Sequence, residues 1–157
     1  MAQNRGKQFE AKLKEDFKKS FPSGLIERIY DQMSGYKTIT NISDFFAYNY
    51  PNLFLLEAKT HKGNTFPLIN LTQYDKLKEY VGTPGIRVGV IIWFQDHDKV
   101  IYIPIASVTK MKLDKKKSIN IKTLYDENYR FIEIPSVKKR VFMDSDYSVL
   151  ATLQDKD

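Results

Sequence analysis

The sequence contains no cysteine and only two histidines. This excludes a disulfide framework and thiolate catalysis, and the two histidines form no pattern that would hold a zinc ion. The longest apolar run, residues 88–94, is far too short to span a bilayer. The N-terminal residues lead into a charged segment rather than an apolar one, so no secretory signal is expected. Together these absences predict a cytoplasmic protein that does not enter a membrane.

The remaining composition is typical of a folded, basic protein. Of its 157 residues, 42% are hydrophobic and 13% aromatic, which excludes a disordered chain and predicts a single domain over residues 1–157. The net charge is +6, and basic residues cluster at 5–19, 110–117 and 138–140. This balance favours a polyanionic partner, nucleic acid first and an anionic membrane surface second. No strongly amphipathic helix with an exposed apolar face supports the membrane.

Hydrophobic periodicity predicts helices and strands in alternation. Phe9, Leu13 and Phe17 recur every four residues, which indicates an amphipathic helix. The apolar run at 86–94 is typical of a central strand covered on both faces. The predicted helices are 7–20, 70–81 and 104–111, the predicted strands are 25–30, 42–48, 53–60, 86–94 and 100–103, and residues 31–40 are predicted as a loop. This order indicates an α/β or α+β fold with a mixed central β-sheet flanked by helices. Residues 115–153 show no clear pattern.

Two acidic residues and a lysine stand among apolar residues in a predicted β-hairpin. Asp44 is followed thirteen residues later by Glu57, and the sequence continues through Ala58 to Lys59. A turn at residues 49–52 would place Asp44 opposite Glu57, and strand alternation puts Lys59 on the same face. Opposed side chains have Cβ atoms about 5 Å apart, a distance at which two carboxylates repel.

A divalent cation between Asp44 and Glu57 would turn this repulsion into ligation. Mg²⁺ binds through one or two carboxylates together with waters and substrate phosphates. Lys59 would then orient a water or stabilise developing negative charge. The alternative is a solvated sheet face on which Lys59 pairs with one of the acids, because this spacing also arises by chance. From the residues alone, both interpretations stay open.

Several short motifs follow one another along most of the chain. They are residues 4–6 with 9–10, 43–45, 56–60, 66–68, Asn70, Gln73, 85–94, 102–104 and 117–119. In this order they resemble the RecU family of Holliday-junction resolvases, within the PD-(D/E)xK nuclease superfamily. The resemblance implies a restriction-endonuclease-like core. It also implies a metal-dependent endodeoxyribonuclease that cuts four-way DNA junctions in recombination and repair.

The resemblance also implies a role for each matching residue. The implied catalytic residues are Asp44, Glu57, Lys59, Glu10 and Gln73, and the implied metal ligands are Asp44, Glu57 and the carbonyl of Ala58. The metal would be Mg²⁺, for which Mn²⁺ can substitute. Lys59 would assist the attacking water, and Glu10 on the first helix would reach the metal through a water. Gln73 matches a family position near the active site.

The partners implied are branched DNA and a second copy of the chain. Arg5 matches a family position that contacts DNA, and the candidate DNA contacts are Arg5, Lys7, Lys37 and Lys62. Two symmetric cuts in a junction need two active sites, which predicts a C₂ homodimer. A recombinase or helicase partner is also expected. The chain lacks the longer N-terminal extension of bacterial members, which favours a phage or mobile-element version acting in the bacterial cytoplasm.

Two alternatives accompany this interpretation. The first is a nuclease of the same superfamily that acts on another DNA substrate, either restriction-like or in repair, because a fold does not fix a substrate. The second is a non-catalytic DNA-binding module that keeps the fold.

Overall fold

The computed structural model describes residues 4–30, 32–34, 37–39 and 41–157, with the backbone alone described over 32–34 and 37–39. The α-helices are α1 (Arg5–Ser20), α2 (Tyr74–Leu77) and α3 (Ile105–Leu113). The strands are β1 (Leu25–Arg28), β2 (Gln32–Ser34), β3 (Lys37–Ile39), β4 (Phe45–Asn49), β5 (Asn52–His61), β6 (Thr65–Pro67), β7 (Ile86–Phe94), β8 (Lys99–Pro104), β9 (Ser118–Asn120), β10 (Ile132–Ile134), β11 (Ser136–Lys138) and β12 (Met143–Ser145). Short 3-10 helices lie at Leu68–Asn70, Lys78–Tyr80, Gln95–His97, Leu124–Asp126 and Tyr147–Thr152.

A six-stranded sheet in the order β1-β4-β5-β7-β8-β10 forms the centre of the molecule. Strands β5 and β7 are parallel and the other neighbours are antiparallel, so the sheet is mixed, as predicted. Side chains of β7 alternate between two hydrophobic clusters: Ile91 and Trp93 pack on the α1 side, and Val90 and Ile92 pack on the α2 and α3 side. The prediction of a central strand covered on both faces is therefore confirmed.

Helix α1 covers one face of the sheet with the predicted apolar stripe. Phe9, Leu13 and Phe17 are buried, and the Phe17 ring lies 5.8 Å from that of Phe54 on β5. The helix begins two residues earlier than predicted because the Asn4 side chain accepts a hydrogen bond from the Lys7 N–H and caps it. None of the helices in the described part of the chain is long and apolar enough to cross a membrane.

The β4–β5 hairpin has the predicted register. Tyr48 pairs with Leu53, and the ladder then runs back to Phe45. Asp44 lies one residue before this ladder, so the strand predicted from residue 42 is shorter than expected. The Asp44 N–H nevertheless bonds to the Leu56 carbonyl at 3.0 Å, which continues the antiparallel pattern past the end of the strand.

Two predictions about the connecting segments are wrong. Residues 31–40, predicted as a loop, contain the paired strands β2 and β3. The helix predicted over 70–81 is instead a 3-10 turn, the four-residue α2 and a second 3-10 turn. Leu71, Tyr74 and Leu77 are buried, as the periodicity indicated. Short turns therefore bury this apolar side, and a continuous helix is not needed. The short helix predicted over 104–111 is confirmed as α3.

The C-terminal third, which showed no clear pattern in the sequence, closes the α1 side of the core. The buried Asp16 of α1 accepts a hydrogen bond from the Ser145 N–H at 2.9 Å and pairs with Lys12 at 2.8 Å. Lys12 also reaches Asp144 on β12 at 2.7 Å. These polar contacts fix the β11–β12 hairpin against α1. The arrangement joins segments far apart in sequence, so no local sequence pattern predicts it.

Candidate active site

Glu57 is the most unusual side chain of the molecule. It lies on β5 with none of its surface exposed, and neither carboxylate oxygen accepts a hydrogen bond of good geometry within the described part of the chain. Its nearest cation is Lys59, whose Nζ lies 3.2 Å from Oε1. A buried carboxylate whose charge is compensated by one ion pair alone is costly, so a ligand would explain this position better than fold stability does.

The surroundings of Glu57 raise the pKa of its carboxyl to about 7. Burial is the main cause, because it disfavours the charged form, and the nearby charge of Asp44 acts in the same direction. Lys59 and the backbone amide of Thr72 oppose this shift but do not cancel it. The two acids are therefore close enough to interact, and the start of α2 lies beside them.

Asp44 and Glu57 approach each other at the end of the β4–β5 ladder. Asp44 is mostly buried, and its Oδ2 accepts a hydrogen bond from the Ala58 N–H at 2.9 Å. This bond ties Asp44 to the backbone immediately after Glu57. The structure thus brings together Asp44, Glu57 and Lys59, the three residues that the hairpin register predicted would converge. The alternative interpretation combined a solvated sheet face with a Lys59 ion pair. The ion pair to Glu57 is present, but Glu57 itself is buried rather than solvated.

Arg28, at the end of β1, links α1 to the same cluster, and sequence reasoning missed it. Its Nε donates to Glu10 Oε2 at 3.0 Å, and its Nη1 donates to the Asp44 carbonyl at 3.0 Å. Nη1 also lies 3.9 Å from Asp44 Oδ1. Glu10 is thus connected to Asp44 through a guanidinium. Strand alternation gave a usable signal, since it places Arg28 on the same face as the buried Ile26.

Gln73 lies at the start of α2 and is buried. Its Nε2 donates to the Asn41 carbonyl at 3.5 Å, and its Oε1 has no hydrogen-bond partner in the described part. Its neighbour Thr72 contributes the backbone amide that lowers the pKa of Glu57. Gln73 therefore bridges the segment before Asp44 and the turn that leads into α2.

The donor set fits a hard divalent cation. Asp44 and Glu57 supply carboxylate oxygens, and those of Glu57 are buried and accept no hydrogen bond of good geometry in the described residues. No cluster of three or more His, Cys, Asp or Glu side chains arranged for a metal occurs in the described part of the chain, so an all-protein cage is absent there. Mg²⁺ suits such an open site because it usually keeps waters and substrate phosphates as its other ligands.

The three candidate DNA contacts whose side chains are described lie in two separate cavities. Arg5 and Lys62 line the same cleft, at the start of α1 and just after β5. Lys7 lines a separate cavity with Glu10 and Arg28. Lys37 belongs to β3, and its side chain lies outside the described residues.

Replacing Glu57 tests its burial in the metal-free protein. The native pKa of Glu57 is raised to about 7 from 4.5, so folding takes up a proton between these values. The wild-type free energy of unfolding should therefore fall relative to that of Glu57→Gln by about 3 kcal/mol as the pH rises from about 4 to about 8. Urea denaturation in EDTA across this range measures the difference.

Glu79→Gln is the matched control, because Glu79 is an exposed glutamate on the same side of the sheet. Its stability relative to wild type should not change with pH. If the free energies of unfolding of wild type and Glu57→Gln changed with pH in the same way, the pKa of Glu57 would not be raised by burial.

Comparisons with known proteins show the family and the fold of the chain. The family described as RecU, recombination protein U, matches residues 17–141. Among solved structures, the chain is similar to Hjc from Archaeoglobus fulgidus, a Holliday junction resolvase from an archaeal hyperthermophile. That likeness has a TM-score of 0.57 and 16% identity, and it covers 76% of this chain and 92% of Hjc. A search of the curated proteins finds no match. The restriction-endonuclease-like fold is confirmed, and the chain belongs to the recombination protein U family.

Proposed function

We propose that this protein is a Mg²⁺-dependent endodeoxyribonuclease that cuts four-way Holliday junctions by phosphodiester hydrolysis. The observation that carries the proposal is Glu57, a fully buried carboxylate beside Asp44 whose ion-pair partner is Lys59 and whose oxygens accept no hydrogen bond of good geometry in the described part of the chain. Acids held together with a lysine are suited to binding a cation and acting on a phosphate. Membership of the recombination protein U family and the fold shared with Hjc support a role on branched DNA.

Asp44 and Glu57 would hold the cation, with the Ala58 carbonyl as a third ligand and Mn²⁺ as a substitute for Mg²⁺. The bound cation would supply charge neutralisation at the scissile phosphate and activation of water. Lys59 would orient the attacking water and place positive charge where the phosphate gathers negative charge. The Ala58 N–H keeps Asp44 in the orientation that this requires.

Three further side chains would position this centre. Glu10 accepts a hydrogen bond from Arg28, and Arg28 donates another to the Asp44 carbonyl. This pair would therefore fix the position of α1 relative to the two acids. Glu10 could also bind a water at the cation. Gln73 fixes the turn beside Glu57 and presents an unpaired amide oxygen. Such supporting contacts typically change metal affinity or activity by about 10–100-fold when removed.

Two linked cuts in a junction require two copies of this site, so the active form would be a C₂ homodimer of a single nuclease domain. Arg5, Lys7, Lys37 and Lys62 would contact the DNA backbone rather than base edges. A recombinase or helicase would deliver the junction. The setting would be the cytoplasm of a bacterial cell, with the gene carried by a phage or a mobile element.

Cleavage assays on matched DNA substrates test the proposal. A labelled four-way junction should be cut with Mg²⁺ and left intact in EDTA, while linear duplex, flap and single-stranded DNA of the same sequence should be cut far more slowly. Equal cleavage of the duplex would overturn the junction specificity and favour a restriction-like or repair nuclease. Junction binding without any Mg²⁺-dependent cleavage would instead indicate a non-catalytic DNA-binding module.

A further inference from the structure

A basic cleft lies where the parallel strands β5 and β7 end, beside the start of α1. Its volume is about 340 Å³. Four cationic side chains line it against a single carboxylate. The cations are Arg5, Lys62, Lys138 and Arg140, and the carboxylate is Asp96. They come from regions far apart in sequence, so the cleft exists only in the folded chain.

Most of the positive charge in the cleft is available to a ligand. The Asp96 Oδ2 accepts a hydrogen bond from the Gly63 N–H at 2.8 Å. Lys138 pairs with Asp98 at 2.6 Å, and that pair is largely exposed. The other three cations form no ion pair within the described part of the chain. A strongly positive, partly enclosed surface attracts phosphate groups in preference to other common ligands.

Trp93 adds an unused hydrogen-bond donor to the lining. Its side chain is 3% exposed, and its Nε1 has no partner in the described part of the chain. An indole N–H can only donate, and leaving it buried without an acceptor costs about 1–3 kcal/mol. An anionic oxygen is the acceptor that such a donor lacks.

The hairpin that carries Lys138 and Arg140 is held in place. The Lys139 N–H bonds to the Phe142 carbonyl at 2.8 Å, which closes the turn between β11 and β12. The Arg5 guanidinium stacks 5.7 Å from the centre of the Phe142 ring. The cleft is therefore formed before any ligand arrives, and binding there would require little ordering.

We infer that this cleft binds a backbone phosphate of the DNA strand, and that Lys138, Arg140 and the Trp93 N–H are contacts to it. The inference rests on the proposed function. Lys62 follows Lys59 by three residues, about 10 Å along an extended chain. Trp93 packs on the α1 side of the sheet and Lys59 pairs with Ile92 of the other side, so the phosphate in the cleft would not be the one that is cut. Contact to phosphate positions the strand without reading its sequence.

The sequence contains a single tryptophan, so Trp93 fluorescence reports directly on this cleft. Titration of the full chain with an immobile four-way junction in EDTA should change its emission. In Lys138→Ala/Arg140→Ala, the junction affinity should fall about tenfold near physiological salt. The slope of log K against log salt should also lose about 2, one for each lost phosphate contact.

The matched control is Lys110→Ala/Lys156→Ala. These two lysines line another cavity, of about 310 Å³, next to Pro104, which pairs with Gly89 near the opposite end of β7. The charge change is the same, and both affinity and salt slope should stay within about twofold of wild type. Arg140→Ala alone, at an exposed residue, guards against misfolding and should show about half the loss in slope.

The outcomes separate the cleft from the catalytic proposal. The proposal that the cleft binds DNA would be wrong if Lys138→Ala/Arg140→Ala kept the wild-type junction affinity and salt slope, or if the control lost as much affinity. This holds even if wild type cuts junctions. Conversely, if wild type binds junctions through the cleft but does not cut them with Mg²⁺, the proposed nuclease activity is wrong and the proposed DNA binding by the cleft stands.

Discussion

Asp44→Asn is expected to bind four-way junctions as tightly as wild type and to cut them about 1,000-fold more slowly. The asparagine keeps a side-chain oxygen that can accept the Ala58 N–H, so the local structure should persist. It removes the negative charge that would hold the cation. Loss of several kcal/mol of transition-state stabilisation corresponds to a rate loss of this size. Single-turnover cleavage and gel-shift binding, measured on the same junction, give the two quantities.

Lys59→Ala should also bind junctions as tightly as wild type and should cut them about 100-fold more slowly, because it removes the cation 3.2 Å from Glu57. Asp75→Asn is the matched control, since Asp75 is an exposed aspartate with 88% of its side chain accessible. It should cut at the wild-type rate. Loss of junction binding together with cleavage in Asp44→Asn would point to a structural role, and full cleavage would remove Asp44 from the catalytic centre.

Gly89→Ala is expected to destabilise the fold by about 3 kcal/mol. Gly89 lies on β7, where a methyl group would overlap the ring of Tyr102 on β8. Tyr102 is fully buried, so its ring has no space into which to move. Gly89 pairs with Leu56, the residue before Glu57, so any displacement of β7 would also disturb the acids. Urea denaturation gives the free energy.

Two variants show whether the overlap is the cause. Gly6→Ala in α1 should be neutral or stabilising by up to about 1 kcal/mol, because its methyl group meets only the Asn4 side chain at 3.4 Å. Tyr102→Leu makes room beside Gly89, so the double variant should be less destabilised than the sum of its single changes. Strict additivity would contradict a steric conflict between the two residues.

The convergence of the acids was predictable because it depends on local rules. Alternation along two strands and the turn between them fix which residues face each other, and the observed pairing of Tyr48 with Leu53 is the predicted one. The apolar stripe of α1 was predictable for the same reason. The helix predicted over residues 70–81 failed because its apolar residues can be buried by short turns as well as by a helix, and periodicity does not distinguish these.

The contacts of Arg28 and the basic cleft were not predictable in this way, since strand alternation gives only the face of the sheet on which Arg28 lies. Arg28 connects Glu10 to Asp44 across three separate elements. Lys138 and Arg140 belong to a cluster of basic residues that looks in sequence like any solvated charge run. Their position beside Arg5 and Trp93 depends on a hairpin that contacts α1 through Asp16, more than one hundred residues away along the chain.

The sequence by itself determined the class of the protein and the three residues at its centre: a basic, cysteine-free α/β chain with Asp44, Glu57 and Lys59 on one hairpin face. These features depend on composition and on the period of a strand. Only the tertiary structure decided that Glu57 is fully buried with Lys59 as its ion-pair partner, and that Arg28 joins the cluster. Burial and long-range contacts depend on which elements pack together, and neighbouring residues in sequence carry little of that information.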